Sequence, residues 1–225
     1  MDFLTSFIGF FQSGGMFMYF IALVLVFGLA IALERYLYLS GTKMSNSRAW
    51  KQVGPMLENG SFQQAANFVG KSKAAISKMI SYGLDNARTL RRAGDIEMAM
   101  EEGLMEIIPR LEKRTHYIAT LANIATLLGL LGTIMGLIEA FTAVSAADPS
   151  EKANLLSASI SIAMNTTAFG LMVGIPLLLI HSVIQAKTTE LVDSMEMASV
   201  KFVNAVTRRM RAQSASQAAT EGANR

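Results

Sequence analysis

The chain has 225 residues, 52% of them hydrophobic and only 16% charged, with a formal net charge of +3. A soluble domain of this size carries about 25% charged residues, so the composition argues against a fold solvated on all sides by water, with buried helices of a soluble protein as the lesser alternative. The absence of cysteine excludes a disulfide framework and a thiolate metal site.

No charge occurs from Phe3 to Leu33, from Tyr117 to Ile138, or from Ala153 to Ala186. A helix needs roughly 20 mostly apolar residues to cross about 30 Å of hydrocarbon. All three stretches suffice, which predicts spans near 16–38, 117–143 and 156–184. The first is expected to persist as a helix, because only Asp2 precedes it and no small-residue cleavage site follows; Glu34 and Arg35 stand at its end instead. The expected fold class is all-α: a polytopic membrane protein with three transmembrane helices extended into a cytoplasmic helical region.

Basic residues orient such helices, because they are retained on the cytoplasmic side. Arg35, Lys43, Arg48 and Lys51 follow the first span, Arg110, Lys113 and Arg114 precede the second, and Lys187 and Lys201 follow the third. The other side holds Asp2 and the Asp148, Glu151, Lys152 loop. The N-terminus is therefore expected outside and the C-terminus in the cytoplasm, and the positive balance needs no nucleic acid to explain it.

In chain order, residues 1–40 form the outer N-terminus and span one. Residues 41–115 carry 12 basic and 8 acidic residues, too long a segment to be a bare loop. Trp50 to Asn86 reads as short helices broken at Gly54-Pro55 and Asn59-Gly60. Asp95 is expected to N-cap an amphipathic helix (Ile96, Met100, Leu104, Ile107, Leu111) running through Pro109 directly into span two. Residues 116–186 hold spans two and three. The charge-free part of span three, 34 residues, would be roughly 51 Å long at ~1.5 Å per residue, so it must tilt or project beyond the bilayer. A cytoplasmic helix over 187–212 and a disordered polar tail over 213–225 are expected to follow.

Span one is uniformly bulky. Span two instead contains Asn123, Thr126, Gly129, Gly132, Thr133, Gly136 and Glu139, and span three Ser157, Ser159, Ser161, Asn165, Thr166, Thr167, Gly170 and Gly174. Such residues belong against other helices or a cavity rather than lipid. The pairs Gly132/Gly136 and Gly170/Gly174 let a neighbouring backbone approach closely. Thr126 and Thr133, seven residues apart, share a face, as do Ser159 and Thr166, bordered by Asn165 and Thr167. These hydroxyls either bond back to their own helix or line a hydrated path, and composition does not choose. An ion relay usually carries an ionisable group at mid-depth, and neither polar span does. Glu139 falls near the outer interface; His116 and His181 fall near the inner one. If this chain moves ions, another polypeptide must supply the titratable group.

The segments "IIPRLEKRTHYIATLANIATLLGLLGTIMGLIEAF" (107–141) and "SISIAMNTTAFGLMVGIPLLL" (159–179) resemble the ExbB/TolQ/MotA proton-channel family, closest to ExbB and TolQ. "ERYLYL" at the end of span one shares the resemblance, which thus covers all three spans in order. It implies a homopentamer in a bacterial inner membrane, N-terminus periplasmic, around a dimer of a one-span ExbD/TolR-like protein that brings the essential aspartate. It further implies proton-driven rotation that energises envelope or outer-membrane transport, with a TonB-like protein as one load. Thr133 and Thr167 match the family's pore-facing threonines, with Thr166, Asn165 and Thr126 as further candidate pore-lining residues. Pro176 matches the family's span-three proline and joins Gly132, Gly136, Gly170 and Gly174 as packing residues. Many relatives have glutamate where this chain has Ile162. The resemblance implies no cofactor, and no metal site is expected. A non-conducting membrane scaffold and a sodium-driven stator-like motor are the alternatives. An enzyme is not expected, because the spans offer no convergent catalytic set.

Overall fold

The computed structural model describes residues 10–11, 15–87 and 93–223; the expectations at Asp2 and at the last two residues of the tail lie outside them. Among the described residues the chain forms, in order, α1 (Met16–Glu58), α2 (Phe62–Val69), α3 (Ala75–Ala87), α4 (Ala93–Glu112), α5 (Thr115–Ala146) and α6 (Lys152–Ala223). No strand occurs among the described residues, so the fold is all-α. Among the described residues, three helices are long and apolar enough to cross a membrane, and the apolar stretches lie in α1, α5 and α6.

The chain divides into two compact units, Met1–Arg35 with Arg114–Gln185, and Tyr36–Lys113 with Ala186–Arg225. In the first, each long helix buries one narrow seam. Along α5 it runs Thr115, Ile118, Ala122, Ala125, Gly129, Gly132; along α6, Ala163, Thr166, Gly170, Val173, Leu177, Ile184. The alternating steps of three and four are the 3.5-residue repeat that keeps one face toward a neighbour. Opposite faces stay uncovered: Leu23, Val26 and Phe27 of α1, Leu127, Ile134 and Phe141 of α5, and Met164, Ile175 and Leu179 of α6 are all exposed large apolar residues. At roughly 25 cal/mol per Å² of apolar surface, such faces belong against lipid or other helices rather than water.

The second unit closes around Phe202, Met79, Ile80, Ile96, Met100 and Met195, all fully buried. Gly83 makes that packing possible, since a Cβ there would meet Met100 Sδ at 2.4 Å and Phe202 Cε1 at 2.5 Å. At the start of α3, buried Asn46 accepts a hydrogen bond from Ile76 N (3.2 Å), satisfying a first-turn donor that the helix leaves open. On its surface Tyr82 donates to Glu106, which also pairs with Arg110 at 2.7 Å. That hydrogen bond and the charge of Glu106 raise the Tyr82 pKa above its ordinary 10.0.

Four local expectations are corrected. Gly54-Pro55 does not break α1, which continues to Glu58 before turning at Asn59-Gly60, where Gly60 has φ +73°; the i−4 carbonyl that Pro55 leaves open belongs to Lys51, an exposed residue with access to water. Asp95 lies within the first turn of α4 instead of capping it, where its charge still favours the helix dipole. The helix runs through Pro109 but not directly into span two, because Arg114 adopts φ +65° between α4 and α5. A non-glycine residue in that region costs about 1–2 kcal/mol; Arg114 also faces Glu34 at 3.6 Å. Helix α6 continues past residue 212 to Ala223, through an alanine-rich segment of high helix propensity.

The glycine contacts set an expected pair of outcomes. Gly83→Ala overpacks the core and should cost about 1–3 kcal/mol, read as a lower heat-denaturation midpoint of the detergent-purified protein. Gly41→Ala, where nothing lies within 4 Å, should leave the midpoint unchanged or raise it. Equal midpoints for both would refute the packing at Gly83.

Candidate functional site

The α5 and α6 seams are built largely from glycine, alanine and threonine, which lets the backbones themselves touch. A Cβ on Gly170 would stand 2.8 Å from Ala125 O and 3.0 Å from Gly129 Cα, and one on Gly129 would stand 3.2 Å from Thr167 Cα. One step along, a Cβ on Gly132 would fall 2.4 Å from Thr166 Cγ2, and one on Gly136 2.8 Å from Ala163 Cβ. At the other end, a Cβ on Gly174 would meet Thr126 Oγ1 at 2.5 Å and Ala122 O at 3.0 Å. Rising numbers on α5 meet falling numbers on α6, so the helices run antiparallel. Span one joins the same unit, with Gly28 against Leu177.

This approach brings one hydroxyl across to the other helix. Thr167 Oγ1 donates to Gly129 O at 2.8 Å, a carbonyl within reach because Gly129 and Gly170 carry no side chains. The other three threonines bond within their own helix: Thr133 to Leu130 O at 2.6 Å, Thr126 to Ala122 O at 3.2 Å and Thr166 to Ile162 O at 3.0 Å. Thr166 is 2% exposed, its methyl against Gly132, so it sits inside the seam. Thr126, Thr133, Asn165 and Thr167 are half-buried at its edges. Pro176 is exposed within continuous helix, and Ile162 is 41% exposed.

A hydroxyl that gives its proton to a carbonyl keeps lone pairs on its oxygen. It can accept a hydrogen bond from a protonated carboxylic acid, or turn and donate to the carboxylate. The backbone bond given up in turning is worth about 1 kcal/mol, whereas a bond to a charged group is worth about 1.5–3 kcal/mol. The second outweighs the first, so each hydroxyl can follow an acid through both of its charge states. Neither helix supplies that acid at mid-depth, since the stretches 117–138 and 153–186 contain no carboxylate.

Sequence reasoning did not anticipate the cross-helix bond from Thr167. It counted Asn123 among the polar residues of span two but not among the candidate pore-lining ones; its side chain is exposed on α5 and makes no hydrogen bond with the described residues. The signal available was its spacing: six residues before Gly129, it falls off the seam.

Residues 71–197 match the sequence model of the MotA/TolQ/ExbB proton channel family. The chain is 30% identical over 189 residues to a putative biopolymer transport protein ExbB homolog of Methanothermobacter thermautotrophicus, covering 83% of this chain and 66% of that relative. It is 49% identical over 53 residues to the biopolymer transport protein exbB1 of Vibrio cholerae, covering 24% and 23% of the two chains. With the Tol-Pal system protein TolQ of Haemophilus influenzae it shares 32% over 84 residues, or 37% and 36%. The chain thus spans less than two thirds of the length of these relatives.

Separating the backbones should be far more damaging than losing the cross-helix bond. Gly170→Leu should abolish recovery of folded protein in mild detergent. Thr167→Val should cost about 0.6–1 kcal/mol, as interhelical hydrogen bonds in membranes do, and leave the heat-denaturation midpoint nearly unmoved. Normal yield of Gly170→Leu would show that α5 and α6 do not meet at that glycine.

Proposed function

The chain belongs to the MotA/TolQ/ExbB proton channel family, and from that premise we propose that it is the channel-forming subunit of an ion-driven motor of the envelope. Five copies enclose two copies of a one-span ExbD/TolR-type partner in a bacterial inner membrane, with the N-terminus periplasmic and the C-terminus cytoplasmic. The partner's membrane aspartate is the acid that this chain lacks. Protons carried on it drive rotation between the pentamer and the partner, and the motion energises transport through a periplasmic load such as a TonB-like arm.

The observation that supports this reading best is the pairing of two hydroxyl-bearing helices with the absence of any mid-depth carboxylate. In an apolar surrounding the partner's carboxyl is held above the usual carboxylate range, because burial penalises its charged form. Thr133 and Thr167 offset part of that penalty and let the acid lose and regain its proton. The family resemblance implies a glutamate in many relatives where this chain has Ile162, so this chain offers no carboxyl at that position and the cycle draws on the partner's acid.

Purification with its one-span partner should give a 5:2 assembly by native mass spectrometry. Thr133→Val and Thr167→Val preserve side-chain volume, so each should retain that assembly while ion flux and the driven transport are lost. Full flux in both variants would favour a non-conducting scaffold. Flux that followed a sodium gradient, persisting when the proton gradient is collapsed, would establish the sodium-driven alternative.

A further inference from the structure

Asn123 stands within the charge-free stretch of α5, nine residues beyond Arg114, which is about 13 Å along the helix. Its side chain is exposed and makes no hydrogen bond with the described residues. An amide pressed against acyl chains without a partner costs roughly 2–7 kcal/mol, several times the value of any one hydrogen bond in the seam. Lipid is therefore not its neighbour, and something polar is.

The helix turn indicates what. At about 100° per residue, Thr133 and Thr126 differ by about 20°; Asn123 follows about 60° farther round and His116 about 20° beyond that. The four fall in a sector of about 100° that winds away from the buried seam toward the Arg114 end of α5. Along it the polar groups change from half-buried (Thr133, Thr126) to exposed (Asn123, His116). Thr120, one turn from His116, is also exposed; its hydroxyl donates to His116 O at 3.2 Å and keeps its lone pairs outward. An amide both donates and accepts, so Asn123 can hold water in either orientation, as a chain of waters carrying protons requires. Ile124, at the same depth and about 100° round, presents only hydrocarbon.

We propose that Asn123, with Thr120 and His116, lines a hydrated path linking Thr126 and Thr133 to the aqueous phase at the Arg114 end of α5. The path rests on the channel function argued above. It assigns Asn123 as a positioning residue for water rather than as a proton carrier.

The chain contains no cysteine, so single cysteines report accessibility cleanly. Membranes holding the full complex are treated with a small, positively charged methanethiosulfonate reagent. The Asn123→Cys and Thr133→Cys variants should react and the Ile124→Cys variant should not. Separately, Asn123→Leu should lose ion flux with assembly intact, and Asn123→Ser should retain it. If Thr133→Cys reacts while Asn123→Cys does not, the path is refuted and the channel function stands; disulfide cross-linking of unreactive Asn123→Cys between copies would identify a subunit contact instead. Failure of both to react would refute the channel as well. Undiminished flux in Asn123→Leu would also overturn the proposal.

Discussion

The spanning unit depends on the absence of side chains where α5 and α6 cross. Gly129 and Gly170 bring the two backbones within contact of each other, and neither could carry a Cβ without displacing main chain. Between membrane helices there is no hydrophobic drive to associate, because lipid tails are as apolar as leucine, so close packing and interhelical hydrogen bonds must hold them. The glycines supply the first, and by exposing a carbonyl they supply the second, the bond from Thr167 to Gly129. The residue that ties the helices together is thus one of the two that the proposed channel employs, and packing sets its position while leaving its hydroxyl free to turn.

That arrangement favours a division of labour between polypeptides. A carboxyl placed permanently in the α5–α6 seam would have to be buried without a charged partner, at a cost of several kcal/mol. Hydroxyls are neutral, satisfy themselves on carbonyls while idle, and can turn toward a charge when one is presented. A subunit built this way is stable without the acid. On the proposed reading it becomes competent when another chain delivers the acid, as a motor assembled from two kinds of subunit would require.

Much of this was legible in the sequence because charge and glycine are strong signals there. Three charge-free stretches predicted three spanning helices, since an uncompensated charge in hydrocarbon is costly. The glycine pairs and the threonines stood out for the same reason, as residues ill suited to lipid. What stayed hidden was register. A single sequence does not say which turn of α6 meets Gly129, so neither the cross-helix bond of Thr167 nor the burial of Thr166 could be read from spacing. The break between α4 and α5 was hidden for another reason: the visible breaker, Pro109, is accommodated, and the interruption falls at Arg114, a residue with no preference for a left-handed conformation. Gly54-Pro55 misled in the opposite direction, because a helix exposed to water tolerates the carbonyl that proline leaves open.

The central claim is that this chain lends hydroxyls to an acid held by another. Infrared titration of the partner's membrane carboxyl in the assembled complex tests it most directly, comparing the natural chain with one carrying both Thr133→Val and Thr167→Val. The account requires a pKa above the ordinary value of about 4, raised further when the hydroxyls are removed, since they favour the charged form. A carboxyl that titrates near 4 in both complexes, indifferent to the threonines, would contradict it.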